Sequence, residues 1–526
     1  MERTSFFTFF RRNRFAAIGV MSLLFICYGK MIFSTYFYQD LGVLTRNYET
    51  TYNWYDIGRY GLVLLRYVFR TCRYNVYYTG VMLFMAMTLT VMFYSYFVEY
   101  ITKKEQNELV IVLFAMLFFV HTAWSEQFYF QFQSFEIVFG VFLVGVALFL
   151  LWSVDDLIIP SGITYALSIG LAVLAFGVYQ AMLNVYITSC IGLYLLDEKR
   201  ARTWMGLGKD VFRHIVVFLV DFAIYELIIK ITVTSTYLTN QIAWGNRPAL
   251  AIWETLKLDY IERCFTGKGA LYSFALSVIV IFVLLVFCYS FITSCIHVGV
   301  GKVYKGYLID LILLVGLVFS SFILGIVVGF TPAVRAQLAL PISIAFLFMY
   351  LANHIFINDG NLLFKYKEII CILCGAVALY SSLTSVTRML YTYDMVATNS
   401  YFTATKLSYD LDKKLTESGK NLPIAFIGIM DVNFDLNELC VDTEHNYSYM
   451  LEPMMNQNGT LTPTYYWGSM FTHDYFGMYG INYLAASMDQ VLEATDIANE
   501  MPEWPAEGSI VVHNDYIIAK IGKMID

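Results

Sequence analysis

Long apolar runs alternate with short polar segments along most of this chain, and the runs are longer than the helices of a water-soluble core. A membrane-crossing helix needs about 20 mostly apolar residues. Eleven stretches approach that length: 15–37, 76–98, 109–123, 134–152, 162–177, 179–196, 212–231, 271–292, 307–330, 338–357 and 369–387. Only Gly177-Val178-Tyr179-Gln180 separates the fifth from the sixth, so ten spans is the alternative count. Two polar intervals are long, about 38–75 and 232–270. Inside the first, 57–73 mixes Arg59, Arg66, Arg70 and Arg73 with Leu, Val, Tyr and Phe at near-helical spacing. That pattern predicts an amphipathic helix lying in the membrane interface, whose arginines need lipid phosphates or a site as partners.

Past residue 387 the pattern changes, and Gly, Asn, Asp and Thr become frequent. Residues 404–417 are amphipathic at helical spacing, 421–429 read as a short strand, and 509–521 read as two strands joined by Asn514-Asp515. The expected architecture is a polytopic α-helical membrane protein. About eleven transmembrane helices occupy residues 1–387, and a small α+β domain occupies 388–526.

Composition agrees: hydrophobic residues make up 58% and charged residues 14%. A soluble chain carries about 25% charged residues, so a soluble enzyme and a disordered protein are excluded. Net charge is −7, but unevenly spread. From Arg388 on there are 7 basic against 19 acidic residues, a net −12, which leaves +5 for the rest. An acidic tail with no basic face argues against nucleic-acid binding. Basic residues set orientation. Arg11, Arg12 and Arg14 precede the first run, placing the N-terminus inside. With eleven spans every inside loop except 153–161 is basic, and the C-terminal domain lies outside. The expected location is the cytoplasmic membrane. The nine cysteines form no evident disulfide framework, and Cys371 and Cys374, a CxxC inside an apolar run, read as packing residues.

Charges at membrane depth default to functional candidates. There are few: Asp221, Glu226 and Lys230 share one run, and the last two stand at i,i+4, the spacing of a helical ion pair. Polar chemistry concentrates instead in the outside intervals. The first offers Asp40, Arg46, Trp54, Asp56 and Arg59, and the second runs from His121 through Trp124, Glu126 and Gln133 to Glu136. A carboxylate can take a hydroxyl proton, aromatic faces pack on sugars, and Arg offers a fork to phosphate. Arg247 and Arg335 are further outside cations.

Asp40 just after the first run, then Arg46, Trp54 and Gly58-Arg59, resembles the opening of the serotype-conversion glucosyltransferases of bacteria and phages, within the type C glycosyltransferase plan. The acidic and aromatic stretch from Glu126 to Phe132, followed by Gln133-Ser134 where that family carries an Asp-Ser-like pair, is similar to its second loop. Tyr179-Gln180, and the tail from Met501 through Tyr516–Ile521, also resemble it. Two departures are visible. Gln39-Asp40 holds one carboxylate where the family has an acidic pair, and Gln133 replaces an Asp.

The resemblance implies a glucosyl-phosphoryl-polyprenol donor at the outer face and a surface polysaccharide, or its lipid-linked precursor, as acceptor. The sugar moves in one inverting displacement. Asp40 is the general base, with Glu126 sharing or supporting that role. Arg59, with Arg46, Arg247 and Arg335 behind it, binds the donor phosphate. Trp54, Asp56, Trp124, Gln133, Tyr179 and Gln180 contact sugar or acceptor. No cofactor is expected, and the lone carboxylate favours a metal-independent reaction. The partners implied are membrane lipids, a flippase and a donor-synthesising glycosyltransferase. The competing readings are a flippase or transporter of lipid-linked sugars, which predicts polar residues along a membrane path, and a polysaccharide polymerase.

Overall fold

The computed structural model describes residues 5–34, 53–73, 75–156, 158–197, 204–233, 242–269, 271–355, 363–428 and 462–524. These fall into two compact units, one made mainly of residues up to Thr387 and the other mainly of residues from Arg388 on.

The first unit is helical. It opens with α1 (Phe6–Arg12) and α2 (Arg14–Phe33), then α3 (Asn53–Asp56), α4 (Tyr60–Phe69) and α5 (Val76–Thr102). Next come α6 (Glu108–Phe119), α7 (Thr122–Tyr129), α8 (Gln131–Trp152), α9 (Ser161–Phe176), α10 (Met182–Leu196) and α11 (Trp204–Thr232). The stretch α12 (Ala249–Thr255), a π-helical segment Leu256–Ile261 and α13 (Glu262–Thr266) forms one further helical run. It buries Ile252, Leu256, Tyr260 and Cys264. Then follow α14 (Ala275–Val298), α15 (Val300–Ser320), α16 (Ile323–Val328), a 3-10 turn Val334–Ala336 and α17 (Ala339–Ile355).

Over the described residues each of the eleven apolar runs is mainly helical, with 109–123 and 307–330 each divided between two helices. Among the described residues, five helices are long and apolar enough to cross a membrane. A sixth candidate is the pair α6 and α7, which is bent by 59° at its break. Here the structure corrects the sequence reading. The apolar run 109–123 is not one straight helix, and the segment after it is not a loop but α7 and the first turn of α8. The break has a local cause: His121 adopts an extended backbone and caps α7 through Nδ1, which accepts from the Ala123 N–H at 3.1 Å. Asp221 on α11 is buried, and neither of its oxygens has a hydrogen-bond partner among the described residues.

α18 (Leu363–Ser418) is a single helix of 56 residues where the sequence reading had two. No proline and only Gly375 fall within it, so nothing breaks it. It stops at Gly419, whose φ of 62° is the left-handed stop that glycine supplies.

The second unit carries β1 (Ile424–Ile427), α19 (Thr462–Met478), α20 (Met488–Ala498), β2 (Ile510–His513) and β3 (Tyr516–Lys520). The sheet order is β1-β3-β2, with β1 parallel and β2 antiparallel to β3. Asn514 turns the β2–β3 hairpin at φ 50°, as its sequence predicts. Ile424 and Phe426 face a cluster with Leu407, Leu411 and Phe476, while Ala425 and Ile427 face Val491 and Ala494. A sheet covered on both faces explains why β1 reads as a continuous apolar run.

Candidate functional site

The site is built around α4. Backbone meets backbone where α4 enters the turn between α9 and α10: Gly61 N–H donates to Gly177 O at 2.8 Å, and the Tyr60 hydroxyl donates to Val173 O at 2.7 Å. A Cβ on Gly61 would lie 2.2 Å from Leu174 O, so only glycine permits this approach. Gln180 Nε2 donates to Ile57 O at 3.3 Å, tying the same turn to the segment before α4.

Two arginines of this segment, seven residues apart, meet the first turns of α8. Arg66 is fully buried. Its Nη2 donates to Phe132 O at 2.6 Å, and its Nε lies 3.9 Å from Glu136 Oε1. The guanidinium sits 3.6 Å from the Trp54 ring centroid and 3.8 Å from that of Phe132. Glu136 also accepts from the Thr71 hydroxyl. Of the arginines expected to need lipid phosphates or a site as partners, Arg66 belongs to the protein core, with a carboxylate to balance it.

Arg59 differs. It is half-buried, and its Nη1 donates to Gln133 Oε1 at 2.8 Å. Its guanidinium carbon lies 5.1 Å from the Tyr179 ring centroid. Gln133 is neutral, and among the described residues no carboxylate pairs with Arg59. Tyr225, on α11, is buried with its ring centroid 6.4 Å from that of Tyr60, the residue next to Arg59. Arg59, Gln133, Tyr179 and Gln180 were all legible as candidates. Tyr225 was missed, because an isolated tyrosine in an apolar run carries no signal.

A second constellation joins Glu126 and Arg335. Glu126 Oε1 accepts from Arg335 Nη1 at 2.8 Å, and Oε2 accepts from the Arg335 backbone N–H at 2.9 Å. The Arg335 guanidinium lies 4.5 Å from the Phe130 ring centroid. Glu126 is thus engaged through both oxygens, and Arg335, expected at a phosphate, is balanced by a carboxylate.

The remaining candidates scatter. Trp124 is wholly buried, its indole N–H donating to Phe118 O at 2.8 Å and its ring stacked near Phe128, so it presents no face to a sugar here. Trp54 is almost buried, against Arg66 and Phe132. Asp56 is exposed on α3, and Arg247 is exposed in the turn that begins at Trp244. Asp40 and Arg46 lie outside the described residues. Among the described residues no group of three or more His, Cys, Asp and Glu could hold a metal ion.

No curated protein and no solved structure matches the chain. One family model does, that of Glucosyl transferase GtrII, over residues 29–352. That match spans α4, both constellations and the helices that carry them, and it covers more than half of the sequence. By it, this helical, membrane-type chain belongs to the Glucosyl transferase GtrII family.

Proposed function

We propose that the protein is a type C membrane glycosyltransferase that moves glucose from a polyprenyl-phosphate carrier to a cell-surface glycan or its lipid-linked precursor, at the outer face of the cytoplasmic membrane. The acceptor hydroxyl attacks the anomeric carbon from the side opposite the phosphate. The C–O bond to the acceptor forms as the C–O bond to phosphate breaks, and polyprenyl phosphate leaves with the bonding pair. Asp40 takes the hydroxyl proton. A phosphate is a good leaving group, so the main demand is compensation of its charge.

One observation carries this reading: Arg59 is half-buried, held in place by a neutral carboxamide, and paired with no carboxylate among the described residues. A cation kept in that state fits an anionic ligand. Arg66 and Arg335 have carboxylate partners, so Arg59 is the phosphate ligand of choice. Glu126 then braces Arg335 rather than serving as base.

Eleven spans fit this reading, because among the described residues the following contacts at span ends and connecting segments join positions assigned to the same side. On the outside these are Gly61 with Gly177, Glu126 with Arg335, and Thr122 with Leu271. On the inside they are Arg12 with Glu99 and Glu105, Trp152 with Asp197, and Arg213 with Asp155. Fusing the fifth and sixth spans would send Asp197 and Arg335 to the wrong sides of their partners.

The test uses purified protein in detergent with glucosyl-phosphoryl-polyprenol, following release of polyprenyl phosphate with and without acceptor glycan. Wild type is expected to release it only with acceptor. Asp40→Asn is expected to lower kcat by about 10²–10⁴-fold, and Arg59→Ala to raise the donor KM by about 10-fold or more. Acceptor-dependent release that survives Asp40→Asn would remove Asp40 as base. Release unaffected by Arg59→Ala would remove Arg59 from the phosphate.

A further inference from the structure

α4 and α8 meet in two rungs that differ in charge. In the first, Arg66 and Glu136, both fully buried, oppose one another as cation and anion. In the second, Arg59 donates to the side-chain oxygen of Gln133, which is almost wholly buried but neutral. Gln133 stands one turn before Glu136 on α8, so a Glu carboxylate there would reach Arg59 as readily as the carboxamide does. The geometry fixes the guanidinium in both rungs, and the charge is cancelled in only one.

We infer that Gln133 is the positioning residue of Arg59: its neutral hydrogen bond aims the guanidinium while leaving the positive charge for the phosphoryl group of the donor. This rests on the donor reading above and replaces the role of sugar contact expected for Gln133. The Arg66–Glu136 rung fixes the register of α4, and the Gln133 rung holds Arg59, uncompensated, at the helix's N-terminal end. A Glu at 133, which has the reach of the carboxamide, keeps the contact and the shape but competes with the phosphate for the same charge; the Asp expected there from the family is one methylene shorter.

The experiment measures binding of polyprenyl phosphate and of neutral polyprenol of the same length to the purified full chain in detergent micelles, from pH 4 to 8. Wild type is expected to prefer the phosphate across this range. Gln133→Glu is expected to lose roughly ten-fold or more of phosphate affinity at pH 8, to keep polyprenol affinity, and to recover phosphate binding as pH falls and the introduced carboxylate is protonated. A merely structural role would move both ligands together and show no such recovery. Gln133→Met, neutral but without an acceptor, is expected to weaken phosphate binding at every pH, and it keeps the test open if Gln133→Glu fails to fold. A wild-type preference for phosphate that survives Gln133→Glu or Gln133→Met unchanged overturns the role of Gln133 and leaves the donor reading standing. A wild type indifferent to the phosphate overturns the donor reading, and this inference with it.

Discussion

At the scale of single residues, three arginines reach polar partners through the same functional group and end in different states. Arg66 lies in the core against Glu136, Trp54 and Phe132. Removing one member of a fully buried pair leaves the other charge uncompensated, which costs about 3–5 kcal/mol. Glu136→Ala is therefore expected to lower the unfolding free energy by about that amount, read from chemical unfolding in detergent. An apolar pair of similar volume, Arg66→Met with Glu136→Leu, is expected to regain most of it. If Glu136→Ala unfolds at the wild-type midpoint, the pair contributes nothing to the fold. Arg335 is more exposed, and its carboxylate partner Glu126 is 209 residues away in sequence. Arg59 alone of the three is left to a neutral side-chain oxygen, and the proposed phosphate role rests on that difference.

At the scale of elements, α4 owes its seat to two glycines, Gly61 and Gly177, whose backbones meet. The Cβ of an alanine at 61 would meet Leu174 O at 2.2 Å, a backbone atom that cannot rotate away. Gly61→Ala is expected to push α4 off the α9–α10 turn, cost about 1–3 kcal/mol, and move Arg59 with it. Gly170, inside α9, has nothing within 4 Å of its would-be Cβ. Gly170→Ala is expected to leave activity unchanged and to add about 0.5–1 kcal/mol. Equal effects of the two substitutions on activity would mean that the seat of α4 does not matter. Much at this scale was legible in the sequence, because local pattern sets local structure. The apolar runs became helices, and the two-residue Asn514-Asp515 turn became a hairpin. What was not legible depends on partners distant in the chain. The segment from Thr122 to Glu136 reads as a polar loop because it holds Glu126, Gln127, Gln131, Gln133 and Glu136. It folds as buried helix because Arg335, Arg59, Arg66 and the carbonyl of Met31 receive several of those groups. No spacing rule reveals a partner 209 residues away.

At the scale of the whole membrane unit, helix length alone does not decide how many times the chain crosses. At about 1.5 Å per residue, the 16 residues of α9 and the 15 of α10 reach only about 24 and 22 Å, short of a hydrocarbon core of about 30 Å. Length would therefore allow the two to be one broken span. The contacts argue for two. Trp152 at the end of α8 donates to Asp197 just past α10 at 3.0 Å, and Arg213 on α11 lies 3.6 Å from Asp155. On the proposed count of eleven, the chain returns between residues 156 and 197 to the side from which it left. In that proposal α9 and α10 are an out-and-back pair whose tip is the turn that seats α4. Reporter fusions separate the two counts. With eleven spans, a fusion at residue 200 stays inside, where green fluorescent protein glows and alkaline phosphatase is silent, and a fusion at residue 333 is outside, with the reverse readout. With ten spans both readouts invert, while a fusion at residue 104 stays inside under either count and serves as the control. Inverted readouts at 200 and 333 would put Glu126 and Arg335 on opposite faces of the membrane, a placement their 2.8 Å ion pair forbids.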